Sequence, residues 1–172
     1  MARTHDLGRL FYISAEAIGE PGRRRFRLRA VNAAGFAASM WLEKEQLSAL
    51  GDAIETVLAD EGYEYVPLPP DDAPARLAEP PEVYDVDIRL AQLSMGVNAE
   101  ERHIVLIAAD GPAESDETTG LTMEFDYRKG YELRQEIAAV IAAGRPLCPL
   151  CTAPMDPGGH MCVRRNGHHR PD

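Results

Sequence analysis

The stretch AIGEPGRRRFRLRA, residues 17–30, contains a turn followed by an alternating segment, and it indicates how the first part of the chain folds. The residues GEPG favour a turn, and the apolar residues of RFRLRA then alternate with arginines. Because successive side chains of a strand point to opposite faces, this alternation predicts a half-buried strand. Together with the apolar run at 10–18, it predicts a β-hairpin.

The segment after the hairpin continues the strand pattern and then changes to a helical one. NAAG at 32–35 favours a second turn, and FAASMWL at 36–42 predicts a third strand. Apolar residues then recur every three or four positions, which predicts an amphipathic helix that ends near Gly62. Those apolar residues are Leu47, Leu50, Ile54, Val57 and Leu58. The first half therefore has the predicted order β-β-β-α.

A similar order of turn, strand and helix signals returns in the second half. SMGVNAEERHIVLIA at 94–108 matches the opening stretch in character, with a glycine, a turn, basic residues and then an apolar strand. The predicted elements are strands at 84–96, 102–110 and 121–127 and a helix that ends at Gly144. This recurrence indicates a duplication of the β-β-β-α unit.

The predicted fold class is α+β, with tandem β-β-β-α repeats whose strands form one antiparallel sheet or two packed sheets. Two amphipathic helices would cover the apolar face of the strands. The predicted organisation is a first repeat at 1–65, a proline-rich linker at 66–82, a second repeat at 83–144, and a zinc-knuckle-like tail at 145–172.

Composition restricts the class of protein and of partner. The chain has 172 residues with 45% hydrophobic and 27% charged residues, as in soluble globular proteins, and a net charge of −10 that disfavours nucleic acid and anionic membranes. The start lacks the apolar run of a signal peptide, and no segment predicts a membrane span. Three cysteines, an odd number, do not predict a disulfide framework, so we expect a cytoplasmic protein.

The tail RPLCPLCTAPMDPGGHMCVRRNGHHR, residues 145–170, holds all three cysteines and predicts a metal site. Cys148 and Cys151 have the CPLC spacing that lets two thiolates of a tight turn face one ion. A loop rich in turn-forming residues can bring His160 and Cys162 back to this pair. Three sulfur donors and one imidazole match the closed tetrahedral shell of one structural Zn²⁺ per chain.

Alternatives to this ligand set remain open in the sequence. The fourth ligand could be His168 or His169 instead of His160, although the shorter loop to His160 costs less closure entropy. The CPLC pair could be a redox pair, but it follows a helix rather than a strand, which fits that role poorly. The tail could also be unstructured.

The rest of the chain offers few candidates for catalysis. It has no glycine-rich phosphate loop, no G-x-S-x-G and no HExxH motif, and His103 on an apolar strand is typical of a satisfied structural histidine. The arginines of GRRRFRLR at 22–29 are typical of a solvated strand face. Four acidic residues of the second half are predicted to point outward to water, namely Asp85, Asp87, Glu124 and Asp126.

With these residues in view, the chain resembles a family of actinobacterial and related bacterial proteins known only as a domain of unknown function. The family pattern also has a CPxC knuckle, a DPxGH turn and a C-x-R-x-NG end, and it usually has glycine where Thr152 stands here. The resemblance implies one architecture over nearly the whole chain and supports zinc binding, but it implies no reaction. It is carried by GEPGRRRFRLRA at 19–30, LEKEQL at 42–47, Leu93 to Gly96 and AAGRPLCPLCTAPMDPGGHMCVRRNG at 142–167.

These patterns predict a zinc-stabilised binding or adaptor module for another protein, because a closed metal shell leaves no position for a substrate. One alternative is an enzyme with its site in the groove between the repeats, where a pseudo-twofold axis would bring Glu43, Lys44 and Glu45 near the acidic strands. Another is weak nucleic-acid binding through the basic tail and the arginine strand, with an affinity that falls steeply with salt.

Overall fold

The computed structural model describes residues 3–20, 22–69, 81–144, 148–153, 155, 160–162 and 164. Within these ranges the predicted α+β class is confirmed. Residues 70–80 of the predicted linker, and most of the tail, lie outside the described residues. In chain order, the elements are β1 (Arg3–Ile18), β2 (Arg25–Asn32), β3 (Ala37–Leu42), α1 (Lys44–Asp60), β4 (Val86–Arg89), β5 (Gln92–Asn98), β6 (His103–Ala109), β7 (Thr119–Asp126) and α2 (Tyr127–Ala143).

The strands of both halves form one seven-stranded sheet in the order β4-β3-β2-β1-β7-β6-β5. The predicted hairpin of β1 and β2 is confirmed, with Ala17 opposite Phe26. The prediction of a purely antiparallel sheet is wrong, because β1 runs parallel to β7 and β3 runs parallel to β4. Alternation of apolar residues has the same period in both kinds of sheet, so it could not distinguish them. For β3 and β4, the helix α1 supplies the crossover that parallel neighbours require.

The strand order does not support a tandem duplication. The sequence β-β-β-α occurs as β1-β2-β3-α1 and again as β5-β6-β7-α2. In the sheet, however, the first strand of one group pairs with the last strand of the other. Equivalent strands of the two groups therefore have different neighbours in the sheet. The recurrence in sequence reflects similar amphipathic patterns, and the structure does not confirm a repeat.

The sheet curves until its two ends meet. The strand predicted at 84–96 is an extended segment that changes partners in its middle and forms both β4 and β5. Leu90 N donates to Trp41 O of β3, whereas Ala91 N donates to Ala109 O of β6. These neighbouring residues thus join the first and last strands of the sheet order, so the sheet wraps around the core.

The long strand β1 connects the two halves on the opposite side. Its residues 3–9 pair with β7, and its residues 10–18 pair with β2, with irregularities in register near Gly8 and Phe11. A single cluster of buried apolar side chains fills the space between the sheet and the helices, and its members include Leu28, Met40, Ile54, Leu121, Phe125 and Leu133. Neither α1 nor α2 is long and apolar enough to cross a membrane.

Candidate functional site

A short closed loop follows α2 and positions the first two cysteines. Thr152 N donates to Cys148 O at 2.8 Å, and Cys148 N donates to Ala153 O at 2.8 Å. These two backbone hydrogen bonds hold residues 148–153 in a tight turn, as the CPLC spacing predicts. Arg164 Nη1 donates to Leu150 O at 2.9 Å and ties the end of the described tail to this loop.

The loop brings four ligand atoms together. Cys148 Sγ lies 3.8 Å from Cys162 Sγ, and Cys151 Sγ lies 3.2 Å from His160 Nε2. All four donor atoms lie within 4.8 Å of one another. The three cysteines are free thiols, and Cys148 and Cys162 are buried. The cluster could therefore hold a metal ion, and the structure unites the four residues that the sequence singled out. His168 and His169, the alternative ligands, lie outside the described residues.

The surroundings of the two loop cysteines affect their thiols differently. Hydrogen bonds from the backbone of Cys151 and then of Leu150 lower the pKa of the Cys148 thiol. A backbone hydrogen bond from Ala153 acts to lower the pKa of Cys151, but burial and the neighbouring thiols of Cys148 and Cys162 outweigh it, and the pKa of Cys151 is raised. A cation at the centre would favour all of these thiolates together.

A second group of possible ligands was missed by sequence reasoning. His103 is buried, and its Nδ1 lies 3.7 Å from one carboxylate oxygen of Glu101 and 3.7 Å from one of Glu124. This nitrogen has no hydrogen-bond partner among the described residues, so the expectation of a satisfied histidine is wrong for Nδ1. Arg9 already pairs with both carboxylates, and its charge disfavours a second cation there. The sequence contains no signal for this cluster, because Glu124 lies beside His103 only as a result of the pairing of β7 with β6.

Two of the three arginines of β2 are largely covered, so the prediction of a solvated face is wrong for Arg27 and Arg29 but holds for Arg25, which is exposed. The side chains of Arg27 and Arg29 are only 17% and 12% exposed, and both pair with Glu16. Arg27 also lies over the rings of Trp41 and Tyr84. The guanidinium groups of Arg27 and Arg29 are therefore engaged within the protein and are not free to bind a polyanion. Of the basic end at 163–170, only Arg164 is described.

The acidic side chains of the second half have specific partners. Asp85 accepts from Ala37 N at 2.8 Å, and Asp87 accepts from Trp41 Nε1 at 2.8 Å. Asp126 accepts from Lys129 N and caps α2. The prediction that these side chains point outward is confirmed for Asp85 and Asp87, which are exposed, while Asp126 is partly buried; each of the three also fixes an element end or a neighbouring strand.

The proposed groove of Glu43, Lys44 and Glu45 against acidic strands is also not formed as predicted. Glu43 lies at the start of α1 and pairs with Arg89 of β4 at 2.6 Å. The neighbour of this carboxylate is thus a cation rather than another carboxylate. No pseudo-twofold axis is available to supply the predicted arrangement, because the strand order lacks it.

A comparison with known proteins places the chain among its relatives. No curated protein matches it. The sequence pattern of a family described as "Protein of unknown function (DUF3090)" matches residues 5–162, which include all of β1 but its first two residues, every later strand and helix to α2, and all four members of the Cys/His cluster. By its sequence over nearly its full length, the chain therefore belongs to the DUF3090 family of proteins of unknown function.

Proposed function

We propose that Cys148, Cys151, His160 and Cys162 bind one structural Zn²⁺, and that the zinc-stabilised tail serves a module that binds another protein. The convergence of the four soft donors carries the proposal. A tetrahedral ion with Zn–S bonds of about 2.3 Å places two sulfur ligands about 3.8 Å apart. Cys148 Sγ and Cys162 Sγ are separated by 3.8 Å. This distance excludes a disulfide, whose sulfurs are about 2 Å apart.

The pairing of Cys151 with His160 fits the same ion. A sulfur and an imidazole nitrogen on a tetrahedral zinc ion lie about 3.5 Å apart, given Zn–N bonds of about 2.0–2.1 Å. The observed 3.2 Å differs from this by an amount that a small rotation of the imidazole removes. Four protein ligands complete the shell, so the ion would stabilise the tail rather than activate a substrate. A reducing cytoplasm would keep the three thiols available for it.

Apolar side chains beside the ligands support a role in protein binding. Leu150 precedes Cys151 and is 50% exposed, and Met161 lies between His160 and Cys162 and is 88% exposed. An ordered metal knuckle would hold both side chains in fixed positions in water. Exposed apolar groups of this kind, and methionine in particular, are typical of contacts with an apolar pocket on a partner protein.

The alternative functions have less support. Nucleic-acid binding along the arginine strand would need a continuous row of free cations, but Arg27 and Arg29 are engaged by Glu16. An enzyme in the predicted groove would need the acidic arrangement around Glu43, which instead pairs with Arg89.

Metal analysis of protein purified without chelators tests the first part of the proposal. We expect about one zinc per chain, lost in C148S and in C162S. Protein that carries no zinc, or serine variants that keep it, would contradict the proposal.

Affinity capture from a native lysate tests the second part. We expect the double variant L150S/M161S to lose a partner that the unaltered chain retains. The control is V83S, because Val83 is an apolar residue that is 82% exposed and lies away from the knuckle in sequence. Equal capture by all three proteins would show that the knuckle does not form the interface.

A further inference from the structure

A small cavity of about 160 Å³ lies beside the edge of the sheet where β3 leads into α1. It is lined by three arginines, Arg24, Arg25 and Arg89, by Trp41 and Phe26, and by a single carboxylate, that of Glu43. The lining thus has three guanidinium groups and one carboxylate, although the chain as a whole carries a net charge of −10. Such a concentration of positive charge attracts an anion.

Arg24 lines this cavity together with Arg25 and Arg89. Its Nε is buried and has no hydrogen-bond partner within the described ranges. The side chain lies beside Gly144, at the end of α2, which limits where the guanidinium can move. The buried Nε is therefore out of reach of a ligand, and the two terminal amino groups are the donors that Arg24 can offer to one.

The remaining charges leave room for an external anion. Glu43 pairs with Arg89, but both side chains are more than half exposed, so an incoming anion can displace or share this contact. Arg25 Cζ lies 4.2 Å from the centre of the Trp41 ring, and this cation–π contact does not consume the N–H donors of the guanidinium group. The cavity also adjoins the amino-terminal end of α1, where the helix dipole favours negative charge.

We propose that this cavity binds a small phosphorylated ligand or free phosphate through the guanidinium groups of Arg24, Arg25 and Arg89. Guanidinium forks match the oxygens of phosphate with paired hydrogen bonds. A phosphate monoester carries a charge of about −1.5 to −2 near neutral pH, so it gains more from several guanidinium groups than a singly charged carboxylate does. The cavity is large enough for a phosphoryl group. Arg27 and Arg29 are paired with Glu16, so they do not extend the site to hold a longer polyanion.

The fluorescence of Trp41 offers a direct test, because this is the single tryptophan of the chain. The metal-loaded full chain would be titrated with inorganic phosphate, with chloride and acetate at matched ionic strength as comparisons. We expect a saturable change with phosphate and none with chloride or acetate. A parallel titration with glycerol phosphate distinguishes the sources, since tighter binding assigns an organic monoester and equal or weaker binding assigns free phosphate.

Variants locate the response in this cavity. We expect R24A and R89A each to weaken phosphate binding by at least tenfold, since each removes a charge-assisted contact. R23A is the matched control, because Arg23 is an exposed neighbour that does not line the cavity. The affinity of this variant for phosphate should remain unchanged. E43Q should strengthen binding several-fold, because it removes the competing carboxylate.

R89A remains a valid test even if R24A fails to fold. The side chain of Arg89 is 79% exposed, so its truncation leaves the core intact. The proposal is overturned if phosphate produces no saturable change, if chloride matches phosphate, or if R89A binds as tightly as R23A. A weakened response in E43Q would likewise contradict the assigned role of the carboxylate.

Discussion

Thr152 is the one residue of the loop at 148–153 that adopts an unfavourable backbone conformation. Its φ is +59°, in the left-handed region that costs most L-residues about 1–2 kcal/mol. β-Branched residues are especially rare there. The two backbone hydrogen bonds of residues 148–153 impose this conformation, since they fix both ends of the turn. The family resemblance, in which glycine usually stands at this position, agrees with that requirement.

Replacement of Thr152 by glycine should therefore stabilise the loop. We expect T152G to strengthen metal retention by about 1 kcal/mol, or roughly fivefold in competition with a chelator, because glycine adopts a positive φ without steric cost. The adjacent substitution A153G is the matched control, since Ala153 does not have a positive φ and glycine there only adds freedom to the unfolded chain. Equal or weaker retention in T152G than in A153G would contradict this account.

At the scale of elements, the contact between α2 and the sheet depends on a glycine. Gly130 is buried in α2, and a Cβ atom added there would lie 2.8 Å from Ile104 Cδ1 and 3.5 Å from Phe125 Cε2. The absence of a side chain therefore lets the helix approach β6 and β7 closely. Helix propensity alone would favour alanine at this position by about 1 kcal/mol.

Alanine at this position should test the closeness of that packing. We expect G130A to lower the free energy of unfolding by about 1 kcal/mol, because an overpacking cost of about 1–3 kcal/mol exceeds the gain in helix propensity. The double variant G130A/I104V removes the clashing methyl group and should recover part of this loss. Urea denaturation of both single variants and the double variant measures the coupling, and additive effects would show that the two residues do not meet.

Sequence patterns predicted most elements but few of their neighbours. The alternation of Phe26 and Leu28 with arginines predicted β2, and these two residues are indeed buried. The same period could not reveal that β1 pairs with β7, because a strand carries no local mark of its partner. The Cys/His cluster was predictable because its members lie close together in the chain. The arginine cavity was not, since Arg89 reaches Arg24 and Trp41 only through the pairing of β4 with β3.

At the scale of the whole molecule, the proposed zinc ion and the core are separate sources of stability. The buried apolar cluster includes side chains of both helices and of strands from both halves. None of the four members of the Cys/His cluster belongs to it. Loss of the ion should therefore affect the tail far more than the sheet and helices. Isolated zinc fingers behave differently, since they have no other core and unfold outright.

Removal of the metal tests this separation. We expect a chelator to abolish amide protection in residues 148–153 and 160–162 while protection of β6, β7 and α2 changes little, as measured by hydrogen exchange. The variant C162S should reproduce the exchange pattern of the chelated protein. A cooperative loss of protection across the sheet would show instead that the tail is part of the global folding unit.

The pairing of β1 with β7 has a consequence for how the protein is made. Residues 3–9 of β1 need a partner at 119–124, which is synthesised more than a hundred residues later. Until then, residues 3–9 expose unpaired backbone groups to the crowded cell. Native contacts of such long sequence separation also slow folding. During translation this central strand pair therefore forms only after β7 has been synthesised, and until then the unpaired edge of β1 is open to association with other chains.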